Sequence, residues 1–277
     1  MRVAAVGHVE WVEFAEVERV PRAGEIARAR RVFSEAAGGA AVAAVQLARL
    51  AGGHGRFFTA LGDDELGHRA KRRLEDLGLT VHVAWREGQP TRRAFTFLDD
   101  DGERTITVIG ERLEPRGSDP LPWDDLESVD AVYFTAGDAD ALHRARSAHA
   151  LVATARVLPV LGQAGAPLDA VVGSGSDASE RYVDGVIDPA PRYVVRTAGA
   201  RGGDWLGEEG RTGRWQAAEL SGPRADAYGC GDSFAAGLTY GLGDGRDIDA
   251  ALALGARCGA CCFTGRGPYE RQLTDPD

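Results

Sequence analysis

A short run late in the chain, Asp226-Ala227-Tyr228-Gly229-Cys230-Gly231-Asp232-Ser233-Phe234-Ala235-Ala236-Gly237, carries a glycine-rich turn into the start of an apolar helix. A turn of this kind presents backbone N–H groups that lack intrahelical partners, together with the positive end of the helix dipole. Gly229, Cys230 and Gly231 are therefore candidates for an anion hole that needs no lysine. Asp232 stands at the entrance of the same helix. A carboxylate is a poor neighbour for a stored phosphate, but it suits an enzyme that orients a hydroxyl beside a transferring phosphoryl group. The plainer alternative is that Asp232 caps the helix and the glycines make a tight turn. Three further stretches share this character. Gly38-Gly39 precedes a helical pattern ending at Leu50, Gly62-Asp63-Asp64-Glu65-Leu66-Gly67 opens the next one, and Thr197-Ala198-Gly199-Ala200-Arg201-Gly202-Gly203 follows a strand-like run.

Missing residue types exclude several other chemistries. The 32 basic residues comprise 31 Arg and one Lys, Lys71, and the chain has no asparagine. Lys71 sits in Ala70-Lys71-Arg72-Arg73, far from any glycine-rich phosphate loop, which rules out a Walker-type NTPase. Protein-kinase and Schiff-base chemistry fail on the same count, since both need a placed lysine and the former also an Asn. No N-glycosylation acceptor exists. A formal charge of −10 argues against nucleic acid and anionic membranes as partners. The N-terminal apolar stretch is too short for a signal peptide and no 18-residue apolar run occurs, so the expected location is the cytoplasm. Cys258-x-x-Cys261-Cys262 has half the spacing of a zinc site but no second pair nearby. With Cys230 these residues read as small, buried thiols.

Short apolar runs must position these motifs. Strands are expected at Val3 to Val6, Arg56 to Leu61, Ala131 to Thr135, Leu151 to Ala153, Ala170 to Val172 and Tyr193 to Thr197. Helices are expected at Gly39 to Leu50, Leu66 to Leu77, Ala139 to Ala148, Asp232 to Gly241 and Ile248 to Phe263. The alternation predicts an α/β fold, doubly wound around a mostly parallel sheet, as one domain over residues 1–277. Two stretches break it. Ala94 to Leu98 and Arg104 to Ile109 flank a polar turn as a hairpin, and Val9 to Phe33 reads as a second β-like piece turning at Pro21 and Gly24. Together they predict a small sheet covering one edge of the core.

In order and spacing these motifs resemble the ribokinase-like, or PfkB, carbohydrate kinase family. The resemblance runs through Gly38-Gly39, the G-D-D-x-x-G at 62–67, the hairpin at 94–109, the T-x-G-x-x-G at 197–202 and the D-x-x-G-x-G-D at 226–232. It implies an α/β/α kinase with a β-sheet lid that transfers the γ-phosphoryl group of ATP to a hydroxymethyl group of a sugar or nucleoside. Asp232 would be the catalytic base, and the amides of Gly229, Cys230 and Gly231 the anion hole. Thr197, Gly199 and Gly202 would line the nucleotide, and Gly38 and Gly39 the substrate. The resemblance also implies Mg²⁺, a homodimer through the lid and, in many members, a monovalent cation, for which no residue here can be named. Departures accompany it. Val42 occupies the position of the family's Asn after the double glycine, and Val12 that of an Asp near the first strand, leaving Glu10 and Glu13 as acidic candidates. The family's N-x-x-E appears as Ser174-x-x-Asp177, so Asp177 and Glu180 become the metal candidates, to be reached through water.

Two rivals remain. Gly173-Ser174-Gly175-Ser176-Asp177-Ala178 also fits a dinucleotide fingerprint, although late in the chain and without the expected acidic residue about 20 positions on. The decayed auxiliary motifs also suit a non-catalytic binding protein, which would have no need of Asp232.

Overall fold

The computed structural model describes residues 1–277. The chain enters through β1 (Val3–Val6), leaves the core for β2 (Glu10–Glu16) and β3 (Arg31–Ala37), and returns through α1 (Gly39–Leu50), β4 (Gly55–Gly62), α2 (Glu65–Asp76) and β5 (Leu79–Arg86). A second excursion supplies β6 (Arg93–Leu98) and β7 (Arg104–Ile109). The core continues with β8 (Ala131–Phe134), α3 (Ala139–Ala145), β9 (Ala150–Thr154), α4 (Leu158–Ala164), β10 (Ala170–Ser174) and β11 (Tyr193–Thr197). It closes with β12 (Gly203–Gly207), β13 (Thr212–Trp215), α5 (Cys230–Gly243) and α6 (Ile248–Phe263).

Nine strands form the main sheet in the order β13-β12-β11-β10-β9-β8-β1-β4-β5. All pair in parallel except β11-β12 and β12-β13. A strand buried on both faces needs apolar side chains throughout, and β1 shows this directly. Val3 joins a cluster with Leu47 of α1 and Leu238 of α5, whereas Val6 joins Leu142 of α3 and Leu161 of α4 on the opposite face. The expected doubly wound α/β/α architecture is therefore present. Strand order reverses at β1, which is flanked by β4 and β8. In such sheets ligands bind beyond the carboxyl ends of the strands at this switch point.

The second sheet has the order β3-β2-β6-β7. Both predicted hairpins contribute, but they join through a parallel pairing of β2 with β6. The first piece also differs from expectation in extent. Its strands run to Ala37, and residues 17–30 form a longer connection that contains the expected turn, closed by Glu25 N–H donating to the Arg22 carbonyl at 3.0 Å with Gly24 at φ 85°.

Other boundaries move by a few residues. α2 begins after Asp64, whose side chain accepts from Gly67 N–H at 2.7 Å. The G-D-D-x-x-G thus acts as a helix cap, and Asp64 also accepts from Thr91 N–H at 2.7 Å, tying the cap to the entry of the lid. Strands β5, β12 and β13 and helix α4 are present in addition to the elements expected from the sequence. After β10 the chain makes only a single 3-10 turn at Ala178–Glu180. A dinucleotide site needs a helix N-terminus directly after that strand, so the oxidoreductase reading fails there. The four cysteines are free, Cys258 and Cys262 are buried, and no group of three metal-ligating side chains gathers anywhere.

Candidate active site

Asp232 lies in the first turn of α5, which begins at Cys230, two residues before the expected start. Gly229 immediately precedes it at φ 81°, a left-handed conformation that favours glycine, and an added Cβ there would lie 2.9 Å from Val42 Cγ1. The Cys230 amide finds only the Ala227 carbonyl, at a long 3.4 Å. A Cβ on exposed Gly231 would meet nothing within 4 Å. The start of α5 therefore opens into free space with its donors largely unspent, as an anion hole requires. Asp226, the first acid of the signature, has a different task. It is buried, and its two oxygens accept from Tyr228 N–H at 2.8 Å and Gly267 N–H at 2.6 Å, which fixes the loop leading into α5. Burial nonetheless pushes its pKa up.

The double glycine meets Asp232 directly. A Cβ at Gly39 would fall 2.8 Å from Asp232 Oδ1 and 3.6 Å from Arg156 Nη1, so only glycine leaves this carboxylate its place. Gly38, at φ 94°, donates its N–H to the Tyr228 hydroxyl at 3.3 Å. The Asp232 side chain is 19% exposed, enough for a substrate hydroxyl to reach it.

Arg156, absent from the sequence reading, links the two acidic parts of the site. Its Nε donates to Glu180 Oε1 at 2.8 Å and its Nη1 is 3.8 Å from Asp232 Oδ1. The Asp232 charge, followed by the Glu180 pair, raises its pKa against the opposing effect of desolvation, so it stays a cation. A signal for it existed: Arg156 follows β9, at the carboxyl edge of a parallel sheet where ligands gather.

Glu180 is brought into the site, but both its oxygens are occupied. The second accepts from Ser174 N–H at 2.7 Å. Asp177 is exposed and its Oδ1 accepts from the Ser179 amide and hydroxyl, leaving Oδ2 free. These donors fit a hydrated Mg²⁺ reached through water and leave no pair of open carboxylates for direct ligation. Thr197 ends β11 with its hydroxyl 3.4 Å from the Gly173 carbonyl. Gly199 is open to solvent at φ 57°. Gly202 has a packing reason of its own, because an added Cβ would collide with the Trp215 carbonyl of β13.

On the other side of Gly38 lie His8 and Glu10. Glu10 is buried and its Oε1 is 3.2 Å from Arg92 Nε and 3.6 Å from His8 Nε2. Burial raises the Glu10 pKa, partly offset by Arg92. His8 is driven to about 3 by burial and then by Arg112, Arg92 and Arg156, so its imidazole is neutral. Glu13, the other acidic candidate, pairs with Arg93 at 2.9 Å and stays apart from this group. Val12 and Val42, at the two positions where polar residues were expected, are fully buried in one apolar cluster with Phe14 and Tyr228. Both departures thus fall in the same apolar cluster, and Val42 Cγ1 packs toward Gly229.

A lidded parallel sheet with an aspartate at a glycine-rich helix start, open donors beside it and a cation between two acids is the apparatus of a phosphoryl-transfer enzyme. The chain belongs to the pfkB family of carbohydrate kinases, whose profile matches residues 1–171 and 168–275. It is 29% identical over 293 residues to an ATP-dependent ribose-1-phosphate kinase of Halopiger xanaduensis, covering 99% of this chain and 96% of that one. Among solved structures, a putative ribokinase from Agrobacterium tumefaciens superposes with a TM-score of 0.82 at 22% identity, covering 99% and 94% of the two chains. Arabidopsis thaliana ribokinase complexed with ribose and ATP gives 0.73 at 18%, covering 99% and 96%. The fold and the sugar or nucleoside kinase class are established on these grounds.

Proposed function

We propose that this protein transfers the γ-phosphoryl group of ATP to a hydroxymethyl group of a sugar or nucleoside, with Asp232 as the general base. The observation that carries the reading is the placement of Asp232, held against Gly39 at the open start of α5. Asp232 accepts the hydroxyl proton as the oxygen attacks phosphorus in line. The amides of Gly229, Cys230 and Gly231, with the Arg156 guanidinium, offset the charge developing on the transferred group. Asp177 and Glu180 would hold Mg²⁺ through its waters, and the ion would supply further neutralisation of the phosphates. Thr197, Gly199 and Gly202 line the nucleotide side, while Gly38, Gly39 and Glu10 line the acceptor side. The lid, rooted at both sides of the double glycine, excludes water on closing and so limits futile ATP hydrolysis.

A homodimer through the lid follows from the same reading. Strand β7 is exposed along its whole length and carries Ile106, Val108 and Ile109, an apolar edge that pairing would cover. Light scattering that finds only a monomer at micromolar concentration contradicts it. No helix is long and apolar enough to cross a membrane.

The test of the catalytic assignment is ATP consumption across a panel of sugars, sugar phosphates and nucleosides. In Asp232→Asn, ATP affinity stays within a few-fold and turnover falls at least ~10²-fold, the lower range for loss of a general base. Near-wild-type turnover in that variant removes Asp232 from its role. A non-catalytic binding protein would instead bind ATP and turn over no acceptor.

A further inference from the structure

The anion-hole amides stand at the end of a long stretch without regular structure. Residues 216–229, between β13 and α5, contain no helix or strand, so the place of each amide depends on what pins this loop from outside. The residues just before Gly229 are pinned by different parts of the molecule. Ala225 N–H donates to the Phe263 carbonyl at the end of α6, at 2.9 Å. The Asp226 carboxylate accepts from Tyr228 and Gly267 N–H. The Tyr228 carbonyl accepts from the Cys262 thiol at 3.5 Å, and its hydroxyl from Gly38 N–H at 3.3 Å. None of these partners lies in the lid hairpin.

Ala227 is the exception. Its N–H donates to the Gly102 carbonyl at 3.0 Å and its carbonyl accepts from Arg104 Nη1 at 3.2 Å, so the β6–β7 turn and the residue that opens β7 hold both of its backbone groups. The turn is pre-shaped for this contact. Asp99 Oδ1 accepts from Asp101 N–H at 3.1 Å and from Glu103 N–H at 2.9 Å, and Gly102 N–H returns to the Asp99 carbonyl at 3.0 Å. Gly102 takes a left-handed φ of 77° and is buried although both its neighbours are exposed. A Cβ there would lie 3.5 Å from the Ala225 carbonyl, so the turn rests directly on the loop. The Arg104 side chain makes its one hydrogen bond to Ala227.

The Ala227 carbonyl is also the only partner of Cys230 N–H, at 3.4 Å. A guanidinium makes the stronger, charge-assisted claim on that oxygen. While Arg104 holds the carbonyl toward the lid, the Cys230 amide stays weakly bonded and open to a phosphoryl oxygen. Without Arg104 the carbonyl can close on Cys230 N–H as an ordinary turn bond, which spends one donor of the hole.

Resting on the kinase reading above, we infer that the β6–β7 hairpin is a positioning element of the anion hole, with Arg104 as its positioning residue. The seated hairpin keeps the Ala227 peptide in the orientation that leaves the Cys230 amide open, so the hole is complete only while the lid is seated. Arg104 touches neither nucleotide nor acceptor and acts through Ala227 alone.

Hydrogen exchange read by mass spectrometry tests the contact without relying on turnover. With the β,γ-imido analogue of ATP bound, the peptide spanning residues 225–231 exchanges ~3- to 10-fold faster in Arg104→Gln than in wild type, as expected for the loss of one hydrogen bond. A β8 peptide is unchanged and Tm stays within ~2 °C. Steady-state assays with D-ribose, D-ribose 1-phosphate and adenosine supply the kinetic counterpart. For whichever acceptor is turned over, kcat falls ~3- to 10-fold, its KM moves less than ~2-fold, and Arg104→Lys recovers at least half of the loss. Wild-type exchange at 225–231 in Arg104→Gln overturns the inference, and so does faster exchange spread over the whole chain. Faster exchange at 225–231 with kcat unchanged also overturns it, since the loop then moves without consequence for the hole. Equal losses in the Gln and Lys variants, or a loss that falls on KM, count against it in the same way. Failure of the wild-type chain to turn over any acceptor discards the kinase reading, while the exchange difference still decides whether the hairpin holds the loop.

Discussion

Replacing Gly39 with alanine separates catalysis from folding at this site. The added methyl would lie 2.8 Å from Asp232 Oδ1, so the carboxylate must retreat by about 0.7 Å to reach an ordinary contact of ~3.5 Å. The yielding atom is the end of a side chain, not backbone, and the fold absorbs the change at little cost. Gly39 also opens α1, where alanine is the better helix former by up to ~1 kcal/mol. Stability should therefore be unchanged or slightly raised, within ~3 °C in Tm. Activity should not survive equally well. Misplacing a reacting group by 1 Å costs on the order of 10²-fold, so a shift of this size predicts ~10 to 10²-fold in kcat. Coupled-enzyme measurement of ADP release at saturating ATP, beside a thermal melt of the same preparation, gives both numbers. Turnover within twofold of wild type would show that Asp232 does not need the place Gly39 leaves for it. A Tm drop of ~10 °C would show that the lost activity reflects folding, and would refute the reasoning in the other direction.

Further predictions concern groups around this pair. Arg156→Gln keeps the fold and lowers kcat ~10 to 10²-fold with a smaller change in KM for ATP, since it removes the cation between Asp232 and Glu180. Asp226→Ala strands two buried N–H groups, at Tyr228 and Gly267, and should cost ~2 to 4 kcal/mol in urea denaturation. His8 has its pKa lowered to about 3 from 6.5, so between these values the unfolded chain binds the extra proton and stability falls as pH falls. His8→Gln should flatten that limb of the stability–pH profile by up to ~1.4 kcal/mol per pH unit. An unchanged profile would place the titration elsewhere. At Cys230 the contact with Cys262 and then burial raise the thiol pKa, and burial does the same at Cys258. Native protein at pH 7.5 should alkylate far more slowly than urea-unfolded protein.

What the sequence disclosed of this molecule was whatever the backbone dictates. Gly229, Gly231 and Asp232 were readable because a glycine turn before a helix has few uses, and Gly38-Gly39 because paired glycines before a helix are rarely accidental. The central strands were readable because burial on two faces demands continuous apolar runs. β12 and β13 escaped because Gly203, Gly207 and Gly213 dilute their strand character. Their place in the sheet is held instead by Trp205 and Trp215, which pack on Tyr193 and Phe234 respectively. Arg92, Arg112 and Arg156 escaped for another reason. With 31 arginines in the chain, no spacing marks three of them, and only the folded chain brings Arg92 to Glu10 and Arg156 to Asp232. Val12 and Val42 are 30 positions apart in the sequence, and only the packed structure places both in one apolar cluster.

In the proposed reading, the residues that would face the acceptor and those that would move the phosphoryl group belong to different pieces of chain. Glu10 opens β2, Arg92 immediately precedes β6 and Arg112 follows β7, so all three stand at the roots of the lid, while Asp232, Arg156 and the α5 amides belong to the core sheet's own connections. Only Gly38-Gly39 is common property. Mutational drift or deliberate grafting in the two lid excursions can therefore retune which molecule is accepted while the transfer step is left intact, provided that Gly102 and Arg104 are kept, and a chimera that exchanges residues 10–37 and 93–112 with those of a relative is the natural unit in which to move specificity between such enzymes.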